Sequence, residues 1–386
     1  MDRVMALKGA PAMGVELRAV SVARHQPDQP VVIEARPLAA CGDLAAAWAN
    51  LATRALEANP FFEPGFVLAA AQHLVAFRDV VAILAWQGAA DAPQRRLLGF
   101  VPVFPRQGFF LPDALIGFGD RRVLSGAPLL DRQRAADVIQ ALLAPRRQTL
   151  LDGKGLVLRA LDRAGPLAAM LRELSDGTRI GFSPALQGPA GREGPRAGGT
   201  MEALGAGLLK LVEPRSQAGL RDAVEIILAM EASGARGRAG AATLHDTREV
   251  GFLRAMTRNL ARSRQCRVGL LMREEEPVAG AILIGRGAQS WLYLGVEDEN
   301  AGDAASLGAL IVAMRRAMPA RRIILPSGMP AEGDGAVSLS DVYLSTASAA
   351  TPRDLAGRAR DAIRRSLSRL PRVGRSGLKP PRAGAA

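Results

Sequence analysis

Apolar residues recur along this 386-residue chain in short blocks. Their spacing alternates between two, the period of a strand, and about three and a half, the period of a helix. In the first half the pattern predicts a strand over 31–35, a helix over 44–58 capped by Asp43, and a helix over 66–77. Strands over 80–86 and 97–104, a helix over 134–143 and a strand over 155–161 follow. Gly, Asp and Pro within 87–96 mark the turn between the two middle strands. In the second half, helices fall at 165–173, 220–232, 250–263 and 308–318. Strands at 267–272, 277–284 and 290–294 sit between the last two helices, and 323–326 forms a further one. The Gly/Pro-rich run 188–199 reads as a loop, and the second half repeats the first at low similarity. Alternating strands and helices predict an α/β fold in two parts.

The second part carries the candidate chemistry. After the apolar run that ends near Leu294, Gly295-Val-Glu-Asp-Glu-Asn-Ala-Gly-Asp303-Ala-Ala-Ser306-Leu307-Gly308 leads into a helix. The amides at a helix start have no partner within the helix and carry partial positive charge, so they can hold a pyrophosphate. Ser306, Leu307, Gly308 and Ala309 are the candidate cofactor-binding residues, with simple capping as the plain alternative. Upstream lies a glycine-punctuated segment, Met230-Glu231-Ala-Ser-Gly234-Ala-Arg236-Gly237-Arg238-Ala-Gly240.

That segment resembles the Glu-x-x-Gly-Trp-Lys-Gly-x-x-Gly element of CelD-like acetyltransferases, a branch of the GNAT superfamily associated with cellulose and exopolysaccharide biosynthesis. Trp48 with Asn59-Pro60-Phe61-Phe62-Glu63-Pro64 resembles that family's N-terminal Trp and Pro-Phe-x-x-Pro element, and Leu97-Leu-Gly99-Phe-Val-Pro102 its Gly-x-x-Pro strand. Ser306-Leu307-Gly308 falls where the family has Ser-Pro-Gly. The similarity spans 48–318 and departs at Ala235, Arg236 and Leu307, which replace Trp, Lys and Pro, and at Glu297 and Asp298, where a Tyr-Asp pair is expected. The resemblance implies tandem GNAT-like (acyl-CoA N-acyltransferase) domains with mixed central sheets. It divides the chain into an arm over 1–30, an N-terminal domain over 31–164, a C-terminal acyltransferase domain over 165–345 and a basic tail over 346–386.

What the resemblance implies is transfer of an acetyl or other acyl group from acetyl-CoA, or another acyl-CoA, to an amine or sugar acceptor in polysaccharide biosynthesis. Attack on a thioester needs a base, donors for the oxyanion and an acid for the departing thiolate. By the resemblance Glu231 is the base. Tyr293 is the candidate acid, and Asp298 orients an acceptor hydroxyl. Arg236 and Arg238 clamp donor phosphates or an acidic acceptor, since guanidinium groups grip such oxygens in a fork. Each has a plainer reading: a carboxylate on a helix surface for Glu231, an edge-packed ring for Tyr293, solvated loop charges for the rest. The departures from the motif support an alternative from another class, a degenerate GNAT scaffold that binds a synthase or a membrane and catalyses nothing.

Charge changes the picture only at one end. The formal charge is +13, but ten basic residues against Asp354 and Asp361 from Arg353 onward give the tail +8 and leave +5 for the rest. With few aromatics and no interleaving of them with arginine, no nucleic-acid partner is expected. Within the tail, Leu355, Ala359, Ala362, Ile363, Leu367 and Leu370 share one helical face, with arginines elsewhere. Such a basic amphipathic helix suits a polysaccharide synthase or an anionic membrane surface, and equally a helix packed on its own domain. Two cysteines, Cys41 and Cys266, give neither a disulfide framework nor metal spacing, so no metal is expected. With no membrane span or secretory pattern, the expectation is a cytoplasmic protein, peripheral at the inner membrane if the tail engages lipid. His245 beside Asp246 offers proton transfer, with capping of the next helix by Asp246 preferred.

Overall fold

The computed structural model describes residues 29–88, 95–104, 114–144, 155–174, 178–185, 207–300, 306–325 and 338–346. The expected arm, the 188–199 loop and the basic helix of the tail lie outside the described residues. The architecture is mixed α/β, with three sheets among the described residues. In the first, β1 (Val31–Pro37), β2 (Val81–Gln87) and β3 (Arg96–Val103) run antiparallel, and β5 (Leu129–Leu130) closes the edge beside β3. Another sheet orders β4 (Ala114–Ile116), β6 (Gly155–Asp162), β13 (Leu339–Thr346) and β7 (Thr178–Pro184), parallel only at β4/β6. A bridge between Val103 and Gly117 joins these two sheets. The remaining sheet runs β8 (Leu209–Val212), β9 (Cys266–Arg273), β10 (Glu276–Ile284), β11 (Gln289–Glu297) and β12 (Arg322–Ile324), parallel only at β11/β12.

Each half therefore makes one parallel step, which needs a crossover connection. Between β4 and β6 the chain passes through α3 (Ala135–Leu143), and between β11 and β12 through α8 (Ser306–Ala317). The repeat in the sequence pattern is this unit. One exchange was not visible in that pattern: β7 and β13, at 178–184 and 339–346, pair in the sheet of β6. The last described strand thus returns to the first half.

The other helices are α1 (Ala45–Arg54), α2 (Pro64–His73), α4 (Pro166–Glu173), α5 (Gln217–Ser233), α6 (Ala235–Arg238) and α7 (Thr247–Arg262). Asp43 does not cap the first of them. Its carboxylate is held by Arg36 at 2.9 Å, and residues 42–44 form a 3-10 turn ahead of α1. The expected helix over 66–77 begins at Pro64, whose fixed φ suits a first turn, and breaks at Leu74 into a separate 3-10 turn.

Strand alternation sends neighbouring residues to opposite faces of the second half's sheet. Leu271, Ala279, Ala281 and Leu283 meet Leu307, Leu310 and Met314 of α8 on one side. On the other side Leu270, Ile282 and Trp291 meet Ile227 and Leu228 of α5 and Phe252 and Met256 of α7. This second cluster continues into Trp48, Phe61, Phe66 and Phe100, so the two halves share a core. The motif residues of the first half serve that core. Trp48 stacks on Phe100 with centroids 4.0 Å apart and donates its Nε1–H to the Phe62 carbonyl at 2.8 Å. Asn59 accepts from the Phe61 amide and donates to the Ser125 and Ala127 carbonyls. Glu63, 2% exposed, receives two hydrogen bonds from Arg286 at 2.7 and 2.8 Å and ties the halves together.

Candidate functional site

The parallel pairing of β11 with β12 covers Gln289 to Trp291 and stops there. Beyond Trp291, β11 runs on to Glu297 with no strand beside that edge among the described residues. Among the described residues no strand takes up its backbone groups on that side. A register shift against β10 leaves Tyr293 as the extra residue of a bulge, because Ile282 pairs with Leu294 and Leu283 with Leu292. Bulges re-aim a side chain and increase local twist. Gly295 packs directly under α8, where an added Cβ would meet Leu307 side-chain carbons at 2.9 and 3.0 Å.

The start of α8 is tighter than an open cradle. Ser306 and Ala309 are buried, and Leu307 donates its N–H to Glu297 Oε2 at 3.3 Å. A carboxylate thus already sits on one of the amides assigned to phosphate. It is the favourable partner for a helix N-terminus, and an incoming phosphate must displace it. Residues 301–305, which precede α8 in the sequence, lie outside the described residues.

The Glu231 segment forms a latch at the same end of the sheet. Glu231 is 3% exposed. Its Oε2 accepts from the Thr243 amide at 2.8 Å, and Arg236 Nη1 approaches Oε1 at 2.8 Å. That second contact lacks hydrogen-bond alignment, since Oε1 has no bonded donor, and it acts as an ion pair. Arg236 also donates to the Ala241 carbonyl, and Arg238 to the Ser233 carbonyl and to Glu299. Glu299 accepts from the Ala235 amide at 2.6 Å. The Arg238 hydrogen bond, helped by that amide, holds the Glu299 carboxyl below its ordinary range. Gly237 is required by contact: a Cβ there would lie 1.6 Å from the Ala232 carbonyl oxygen, so α6 folds flat against the end of α5. Asp298 accepts from the Asn300 amide at 2.9 Å and shapes the turn after β11.

The structure therefore brings Glu231, Arg236, Arg238, Asp298 and the α8 start to one end of the sheet, through Glu297 and Glu299. It pairs the charged side chains of Glu231, Arg236 and Arg238 internally. Tyr293 faces the other way, into the boundary between the halves, with edge contacts to Phe66 and Phe252. Burial, opposed by Arg122, pushes its phenol well above the ordinary tyrosine range, so it stays protonated. Near it lies a cluster absent from the sequence reading: Arg122 binds Asp120 at 2.7 Å and also Glu249, which Arg121 binds at 2.6 Å. No motif marks those four residues. Their grouping arises only when α7 packs on the first half.

His245 is exposed in a 3-10 turn, and Asp246 caps α7 by accepting from the Arg248 and Glu249 amides. Cys41 and Cys266 are buried free thiols, pushed up by burial to about 11 and about 12, which makes them inert at neutral pH. Among the described residues no group of His, Cys, Asp and Glu could hold a metal ion, and no helix is long and apolar enough to cross a membrane.

No family model matches this chain. No curated protein matches it either. Several solved structures are similar. One is the C-terminal domain of a protein described as a lysylphosphatidylglycerol synthetase from Agrobacterium fabrum, at 13% identity over 83% of this chain and 96% of that one, TM-score 0.45. FemX matches at 10% identity over 78% and 94%, TM-score 0.46. A tandem GNAT protein from the clavulanic acid biosynthesis pathway matches at 13% identity over 83% and 100%, TM-score 0.32. At such identities and TM-scores no residue role passes from these proteins to this chain.

Proposed function

We propose that this protein is an acyltransferase of the tandem GNAT kind, moving an acyl group from acyl-CoA to an amine or hydroxyl acceptor. The observation that supports it is the open edge of β11 beyond Trp291, beside the start of α8. An extended pantetheine arm can add to such an edge by backbone hydrogen bonds, and a helix N-terminus at its end suits a pyrophosphate. In this reading Ser306, Leu307, Gly308 and Ala309 hold the phosphates once Glu297 has moved off the Leu307 amide. Glu231 takes the acceptor proton after Arg236 swings away, Asp298 orients the acceptor, and the departing thiolate takes its proton from water, since Tyr293 is turned toward Phe66 and Phe252 and away from this corner. The motif resemblance supports a sugar acceptor in exopolysaccharide or cellulose biosynthesis. It also suits a basic tail seated on a synthase or an anionic inner-membrane surface, with the rest of the chain in the cytoplasm.

A second reading, a GNAT scaffold that binds without turnover, draws on one specific observation. The charged groups of the candidate set are already satisfied inside the protein, Glu231 by Arg236 and Thr243, Arg238 by Glu299. Release of free thiol from acetyl-CoA, measured over a panel of amines, amino sugars and hexoses, separates the two. The enzyme reading expects thiol release with at least one acceptor, abolished by Glu231→Gln while acetyl-CoA still raises the Tm of that variant. A raised Tm with no thiol release for any acceptor favours the scaffold. No Tm change at millimolar acetyl-CoA removes the enzyme reading and favours the scaffold.

A further inference from the structure

At the opposite end of the same sheet, two adjoining cavities of about 380 and 320 Å³ form one groove between the β8–α5 loop and the starts of β9 and β12. Four arginines line it, Arg215, Arg264, Arg267 and Arg321, against one carboxylate, Glu213. Glu213 is paired with Arg267. Arg215, Arg264 and Arg321 have no ion pair with a carboxylate among the described residues, and Arg215 and Arg264 are exposed. Three guanidinium groups without a carboxylate partner line one groove and give it a positive potential that draws an anion. Arg264 adds a backbone observation. It holds φ +58 just past the end of α7, where glycine or asparagine is the economical choice and another residue costs about 1 kcal/mol. Buried Cys266 lines both cavities, and Leu220 and Ala261 add apolar lining to the smaller one.

We infer that this groove binds a phosphate-bearing small molecule, its phosphate or pyrophosphate gripped by Arg215, Arg264 and Arg321 and its less polar body laid against Leu220 and Ala261. Guanidinium forks match phosphate oxygens two at a time, and the volume suits a nucleotide-sized ligand. The site is distinct from the α8 corner. Six residue steps along β11 lead from the Trp291 row to Glu297, roughly 20 Å along an extended strand. The test uses the full chain and two probes, inorganic pyrophosphate and ADP, in thermal shift and calorimetric titrations at constant ionic strength, with a single-stranded RNA oligonucleotide as contrast. Arg215→Ala with Arg264→Ala alters two exposed side chains, and the double variant should keep the wild-type Tm without ligand. Both probes are expected to raise the Tm of the wild type, and the double variant to bind them at least about tenfold more weakly. No shift with either probe, equal binding by the double variant, or binding of RNA alone would overturn the proposal.

Discussion

Burial decides what individual side chains can do here. Glu57 is the sharpest case, a carboxyl pushed up to about 7 chiefly by burial, with the Leu167 amide lowering it and Asp162 raising it. Its Oε2 accepts from that amide at 3.4 Å, at the start of α4. The native state holds this proton more tightly than the unfolded chain, whose carboxyl titrates near 4.5. The stability it contributes is therefore complete below 4.5 and is lost as pH rises through about 7. Glu57→Gln is expected to flatten that part of the stability profile. At pH above 7 it should gain about 1–2 kcal/mol, less than the full linkage value because the side chain is partly open to water. Urea unfolding across that pH range checks it; a profile unchanged by the substitution counts against the buried-carboxyl account. Glu231, also buried, has an arginine beside one carboxylate oxygen and an amide on the other.

Among elements, the join between α5 and α6 shows most plainly how the glycine-punctuated motif works. Gly237→Ala places a methyl against the Ala232 carbonyl and should force α6 away from α5, costing about 2–3 kcal/mol and freeing Arg236 from Glu231. Gly240→Ala, at φ +67 with nothing within 4 Å, meets only backbone strain of about 1–2 kcal/mol. Chemical denaturation of both variants tests this ranking, and a costlier Gly240→Ala would reverse it. The helices other than α6, and the strands β1, β2, β3, β6, β9, β10, β11 and β12, were legible in the sequence because their periodicity is local. Strands β4, β5, β7, β8 and β13 were not. They are short, or, like Leu339–Thr346 with its interspersed Ser340, Asp341 and Ser345, they owe their place to partners far along the chain. The motif residues were legible as a set, and the structure does gather most of them at one end of a sheet. Of the partners that occupy them, Glu297 was visible only as a departure from the motif, and Glu299 and Thr243 carry no pattern that sequence could single out.

For the whole molecule, the halves act as one body through a shared core and a few buried polar ties. Glu63→Gln breaks the two-pronged contact with Arg286 across that boundary. It should cost about 2–4 kcal/mol, somewhat below a fully buried pair because Arg286 is 26% exposed. Two separated unfolding transitions in place of one would show that the halves had come uncoupled, and an unchanged denaturation midpoint would show that the tie is idle. The central claim concerns the open edge of β11 and the helix start beside it, where Glu297 occupies the position a phosphate needs. Calorimetric titration of acetyl-CoA into the wild type and Glu297→Gln tests it most directly. The account expects saturable binding by both proteins, tighter by roughly threefold or more in the variant, because a like charge has left the phosphate corner. Absence of binding by either protein, or an affinity that Glu297→Gln leaves unchanged, would contradict it.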